Sequence, residues 1–233
     1  MCGRFSQSDP ERIMDEFSVT GQRPRFEARP GFNVAPTQPI AVLRALHPGK
    51  GRTLDALRWG LVPSWAKDPS VGIRMINARV ETLAEKAAFR DALRLRRCLV
   101  VADGFYEWQK QGRTRQPFYI RRRDERLIAM AGLWEKWTSS DGEIIETFTI
   151  ITKPSVPPVA EIHDRMPAIL AEAHHDVWLD SGLEQTAPLF EMLGTPSLPL
   201  VAIPVSTLVN RPANDGPECI TPVTIPGGLF DRR

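Results

Sequence analysis

The sequence predicts a single, strand-rich α+β domain. Three observations lead there. Short apolar runs recur between turn signals, as buried or half-buried strands do. The 21 prolines and 16 glycines are scattered along the chain, which excludes long helices from most of it. No internal repeat or low-complexity linker divides the 233 residues, and that length suffices for one sizeable core.

Taken in order, the first element is a helix opening at Asp9-Pro10-Glu11. Asp9 serves as N-cap and Pro10 fills the first helical position, where its missing N–H is no loss. Ile13, Phe17 and Met14 give it an apolar face. Ile40-Ala41-Val42-Leu43 reads as a strand. Asn77, Arg79 and Glu81 then alternate with apolar residues, as in a strand entering a helix, so Asn77 and Arg79 share one face. The helix over 82–95 has Thr82 as its cap and Glu85 completing a capping box. Three more strands follow at Cys98-Leu99-Val100-Val101-Ala102, Leu127-Ile128-Ala129-Met130-Ala131 and Thr147-Phe148-Thr149-Ile150-Ile151-Thr152. Hairpin turns fall at Gln111-Gly112-Arg113 and Ser140-Asp141-Gly142. Short helices are expected over 156–162, 173–183 and 186–193. The tail after Pro226 is expected to be loosely held.

Composition narrows the function. Apolar content of 42% and charged content of 25% are ordinary for a globular protein. A net charge of +2 is no polycation, so any nucleic-acid affinity must come from local arginines. No apolar run reaches the ~18 residues of a membrane helix. The start lacks the apolar core of a signal peptide, and a cytoplasmic location is expected. Cys2, Cys98 and Cys219 are odd in number and widely spaced, which suits neither a disulfide framework nor a zinc site. Free thiols are expected, with no metal and no organic cofactor.

The chemistry-bearing positions begin at Cys2. Loss of Met1 leaves an α-amine and a thiol on adjacent carbons, with reference pKa values of about 8 and about 8.5. Such a 1,2-aminothiol condenses with an aldehyde to a Schiff base, then closes to a five-membered thiazolidine. Cysteine is equally an ordinary small second residue. Arg79 beside Asn77 suits a phosphate through its planar fork, or is simply the solvated face of an edge strand. In Asp103-Gly104-Phe105-Tyr106-Glu107-Trp108 an acid flanked by aromatics gains the raised pKa of an acid–base group, or caps a strand end. His163, between Ile162 and Asp164-Arg165, suits a proton shuttle or a structural role. Trp65 suits base stacking, whereas Trp59 reads equally well as core. The basic groups Arg94/Arg96/Arg97 and Arg121/Arg122/Arg123 read as solvated faces. His47, His174 and His175 sit in ordinary contexts and carry no assigned role.

Six segments occur together and in order: Met1-Cys2-Gly3-Arg4-Phe5, Asn33-Val34-Ala35-Pro36-Thr37, Trp59-Gly60-Leu61-Val62-Pro63-Ser64-Trp65, Asn77-Ala78-Arg79-Val80-Glu81-Thr82, Asp103-Gly104-Phe105-Tyr106-Glu107-Trp108 and His163-Asp164-Arg165-Met166-Pro167. The set resembles the SOS response-associated peptidase (SRAP) family of abasic-site processing proteins, and the likeness runs from Cys2 to about Asp215. The resemblance implies one mixed domain over 1–233, built around a distorted β-barrel with short flanking helices. It implies binding of single-stranded DNA in a basic groove and a thiazolidine link from the amino-terminal cysteine to the ring-opened sugar of an abasic site; a monomer is expected. Carried over, the catalytic group is Cys2, Asn77, Glu107 and His163. The DNA contacts are Arg4, Asn33, Pro36, Trp65, Arg79, Trp108, Thr152 and Arg165. Ala66 stands where some relatives carry a second tryptophan, which reduces the stacking area of that loop. A thiol peptidase and a non-covalent single-strand binder are the competing readings, and removal of Met1 by the protein itself belongs to the first of these.

Overall fold

The computed structural model describes residues 2–19, 31–45, 51–183, 185–195 and 198–225. Its strands are β1 (Phe5–Gln7), β2 (Gly31–Val34), β3 (Pro39–Ala45), β4 (Arg52–Trp59), β5 (Asn77–Arg79), β6 (Arg97–Ala102), β7 (Gly104–Gln111), β8 (Thr114–Arg122), β9 (Ile128–Thr138), β10 (Ile144–Pro154), β11 (Arg165–Pro167) and β12 (Leu200–Pro204). The α-helices are short: α1 (Pro10–Glu16), α2 (Ala87–Leu95), α3 (His175–Leu179) and α4 (Ala187–Gly194).

Five strands close on themselves in the order β10-β4-β3-β6-β9, because β9 pairs again with β10. The β9–β10 hairpin pairs from Ile144↔Thr138 to Ile150↔Gly132. The β4–β10 pairing is parallel, which makes the barrel mixed. Closure leaves none of the five with a bare edge along its paired stretch. Side chains of β6 alternate between two apolar clusters. Cys98, Val100 and Ala102 join the one that holds Cys2, Phe5 and Trp59. Leu99 and Val101 join the one that the helices cover with Ile13, Leu93, Trp178 and Leu189. A strand buried on both faces needs apolar residues at every position, which is why this stretch reads as a continuous run.

A second, antiparallel sheet runs β12-β8-β7-β1-β2. Phe5, Phe105, Phe118 and Ile120 pack toward the cluster containing Cys2. Tyr106 and Tyr119 pack the other way, against Val205, Val209 and Cys219.

Several sequence expectations match. Asp9 accepts hydrogen bonds from the Glu11 and Arg12 N–H groups at 3.0 and 3.1 Å and caps α1, with Pro10 first in the helix. Both hairpin turns form, each using a glycine with positive φ, Gly112 at 60° and Gly142 at 85°. All three cysteines are free and buried.

Others need correction. The 82–95 helix begins only at Ala87, with Lys86 at the N-cap and no side-chain capping bond. The chain instead leaves β5 in a 3₁₀ turn, Val80–Thr82, which delivers Leu83 to the core, and the Thr82 hydroxyl bonds back to Arg79 O. Residues 156–162 make only the 3₁₀ turn Val159–Glu161. The stretch 173–183 splits into the 3₁₀ turn Glu172–His174 and α3. Arg97 is no solvated group. It is buried and donates to the carbonyls of Leu93, Arg94 and Trp178, at 2.7, 2.6 and 2.6 Å. His47 and the tail after Pro226 lie outside the described residues. Among the described residues no helix is long and apolar enough to cross a membrane.

Candidate active site

Strand pairing gathers the site. The β1–β7 ladder matches Phe5 with Phe105, and the Tyr106 N–H donates to Arg4 O at 3.0 Å. Carried one step further, this register lays the residues before Phe5 alongside Glu107. On the barrel, β5 and β11 flank the end of β10 on opposite edges, since Thr152 pairs with Arg79 on one side and Pro167 on the other. Asn77, Arg79 and Arg165 are thereby fixed by backbone register around one strand end.

Cys2 is fully enclosed, and its thiol points to Arg4 O at 3.8 Å. Burial, reinforced by the nearby Glu107 carboxylate, pushes that thiol well above its ordinary range. Glu107 is itself buried, and loss of solvent raises its pKa, with His163 and the Trp108 backbone N–H partly offsetting the rise. Asn77 Nδ2 donates to Cys2 O at 2.8 Å. The Asn77 Oδ1 atom is buried and has no hydrogen-bond partner among the described residues. His163 Nδ1 lies 3.0 Å from the Arg165 backbone N–H. Asp164 Oδ1 lies 2.9 Å from the same Nδ1. The four residues expected to be catalytic are thus brought together.

The expected DNA contacts divide. Trp65 is exposed at 65% of its surface, and the Arg79 side chain is exposed. Arg165 is held by Glu81, with Nη2 at 3.0 Å from Oε2, and by Thr152 O at 2.6 Å. Its Nε is buried with no partner among the described residues. Trp108 is half-buried, with its indole N–H on Asn210 Oδ1 at 2.7 Å, and Pro36 is also half-buried. Asn33 and Thr152 are sealed from solvent, and their polar atoms turn to Arg4 and Arg165. Trp59 is core, with its N–H on Ile76 O at 2.9 Å. Sequence pattern does not single out Glu81, whose carboxyl the Arg165 hydrogen bond holds below its ordinary range. Its place after Asn77 and Arg79 in the same alternation was the only cue.

A closed five-stranded barrel with a flanking sheet, carrying cysteine, carboxylate, asparagine and histidine at one strand end, defines a small α+β protein with a cysteine-based site. The chain belongs to the SOS response associated peptidase (SRAP) family, whose sequence pattern matches residues 1–212. It is 42% identical to abasic site processing protein YoaM of Bacillus subtilis, over 94% of this chain and 97% of that one. It is 35% identical to abasic site processing protein HMCES of Xenopus tropicalis, over 84% of this chain and 67% of that one. The fold matches a crystal structure of a Bacteroides thetaiotaomicron protein with a TM-score of 0.83 and 24% identity, covering 96% of this chain and all of that one.

Proposed function

We propose that this protein captures abasic sites in single-stranded DNA by forming a thiazolidine between Cys2 and the ring-opened sugar. The observation that carries the reading is the enclosure of Cys2 beside buried Glu107, with His163 acting on that carboxylate and Asn77 bonded to Cys2 O. The names of the relatives, abasic site processing proteins, support the substrate class.

The chemistry needs Met1 to be removed, which frees the α-amine. The amine then adds to the C1′ aldehyde and water leaves, giving a Schiff base. The thiol adds to the C=N carbon, its proton passes to nitrogen, and the ring closes. One water is the net loss. Burial and the Glu107 charge hold the resting sulfur as a thiol, so Glu107 serves as the base that takes its proton at the moment of attack. His163 donates the proton that the departing hydroxyl needs. Arg79 and Arg165 hold phosphates on either side of the lesion without reading bases, and Trp65 offers a stacking face. A Schiff base left open permits β-elimination of the 3′ phosphate, so some strand cleavage accompanies slow ring closure.

The test is a denaturing gel after incubation with an oligonucleotide carrying one abasic site. A heat-stable shifted band, together with a purified mass lacking Met1, is expected. A protein that binds but never shifts is a non-covalent binder. One that crosslinks with Met1 intact uses other chemistry. Self-removal of Met1 is the only peptidase step that this site calls for.

A further inference from the structure

We infer that the loop over 206–221 presents Arg4 and Trp108 to the DNA strand, and that Asn33 is the positioning residue of this device rather than a strand contact. The inference rests on the DNA-binding reading above and deepens it.

The loop is closed at its base. Val205 bridges to Pro222, and the Val223 N–H donates to Pro204 O at 2.9 Å. Its Val209 and Cys219 side chains are buried against Tyr106 and Tyr119. One amide ties three points of its course together. Asn33 Nδ2 faces the carbonyls of Val209, Arg211 and Asn214 at 3.1, 3.1 and 2.7 Å. The Asn33 backbone N–H donates to Asp215 Oδ1 at 2.5 Å. The other end of the same amide, Oδ1, accepts Arg4 Nη1 at 2.8 Å, and Val209 O accepts Nη1 as well, also at 2.8 Å.

Only an amide does both jobs. A carboxylate here would turn an oxygen toward three carbonyls, and an apolar side chain would leave buried acceptors unpaired. The result is a partly buried Arg4 guanidinium aimed by neutral acceptors. Among the described residues no carboxylate pairs with it. An uncompensated, oriented guanidinium is suited to a phosphate. The loop also supplies Asn210, whose Oδ1 accepts the Trp108 indole N–H at 2.7 Å. One loop therefore sets an anion receptor and an aromatic face together.

The test uses an undamaged, mixed-sequence single-stranded oligonucleotide, read by fluorescence anisotropy over a salt series. Thermal denaturation first confirms that each variant is folded. Asn33→Ala should weaken binding roughly tenfold or more, as for one charge-assisted hydrogen bond. It should also flatten the log-affinity against log-salt slope by about 0.7, as Arg4→Ala does. The double variant should bind no more weakly than Arg4→Ala alone, whereas Asn33→Ala and Arg79→Ala should add. A purely structural role for Asn33 would not produce that coupling. Asp215→Ala should cost about threefold, and Asp215→Asn, which keeps the acceptor, should restore it. A folded Asn33→Ala protein that binds like the parent, or a double variant showing the summed loss, overturns the inference. If Asn33→Ala does not fold, the Asp215 pair decides, and parent-like binding by Asp215→Ala overturns it. A parent protein that binds no single strand overturns the functional reading itself, which is a separate outcome.

Discussion

Glu107 carries a stability cost that follows from its burial. Its folded-state pKa is raised above the ordinary carboxylate value of 4.5 by desolvation. A raised acid binds its proton more tightly when folded, so its contribution is most favourable below that value and is lost as pH climbs through the folded pKa. Glu107→Gln should therefore melt higher than the parent at pH 7, by about 2–4 °C per kcal/mol relieved, and the gap should close as pH falls toward about 4. The same variant should lose most crosslinking. Equal melting temperatures across that range would show that the burial carries no cost. The thiols give a second expectation: all three are enclosed, so a thiol reagent at neutral pH should label the native protein slowly and titrate three groups on denaturation. Fast labelling of the native chain would contradict the enclosure of Cys2. At this scale the residue types were legible, because cysteine, acid, histidine and arginine announce their chemistry. Their exposure was not. Nothing local marks Asn33 and Thr152 as sealed, since that depends on a loop about 180 residues downstream of Asn33 and on the strands paired to either side of Thr152.

Among the elements, short apolar strands were legible where both faces are buried, as in β6, and less so in extent where a ladder continues into polar residues. The β9–β10 hairpin runs well beyond its apolar runs because cross-strand pairing, not hydrophobicity, sustains its outer half. The Thr82 capping box failed for a related reason: burying Leu83 outweighs one exposed cap, worth ~1 kcal/mol. The loop bearing Trp65 depends on a feature that no propensity shows. Gly60, at φ +119°, and Gly72 touch backbone to backbone, and a Cβ on either would sit 2.6 or 2.5 Å from the other's carbonyl oxygen. Gly60→Ala should therefore cost about 2 kcal/mol or more through strain and overpacking, read from urea denaturation. It should also weaken single-strand binding by displacing Trp65. Unchanged stability would mean that the approach is looser than its geometry.

For the molecule as a whole, the strand-rich α+β class followed from composition and punctuation, but closure did not. The β4–β10 parallel pairing joins segments about 90 residues apart, and no local pattern reports such a contact. The charge balance, by contrast, was legible and has a consequence for binding. With 30 basic against 28 acidic side chains, the whole molecule offers a strand little long-range attraction. If the chain binds single strands as proposed, affinity comes from a few placed arginines, so salt should act through the number of phosphate contacts and not through a diffuse field. Each contact contributes about 0.7 to the slope of log-affinity against log-salt on single strands. Arg79→Ala and Arg165→Ala should each flatten that slope by about this amount and weaken binding equally for purine-rich and pyrimidine-rich oligonucleotides. Arg165→Ala also frees Glu81, whose carboxylate then repels the strand, so its loss of affinity should exceed that of Arg79→Ala. Adding Glu81→Gln to Arg165→Ala should return it to the Arg79→Ala level. The measurement is anisotropy on both oligonucleotides at several salt concentrations. A variant that changes base preference while the slope stays put would move these arginines from holding the backbone to reading the bases. No change in either would remove them from the interface.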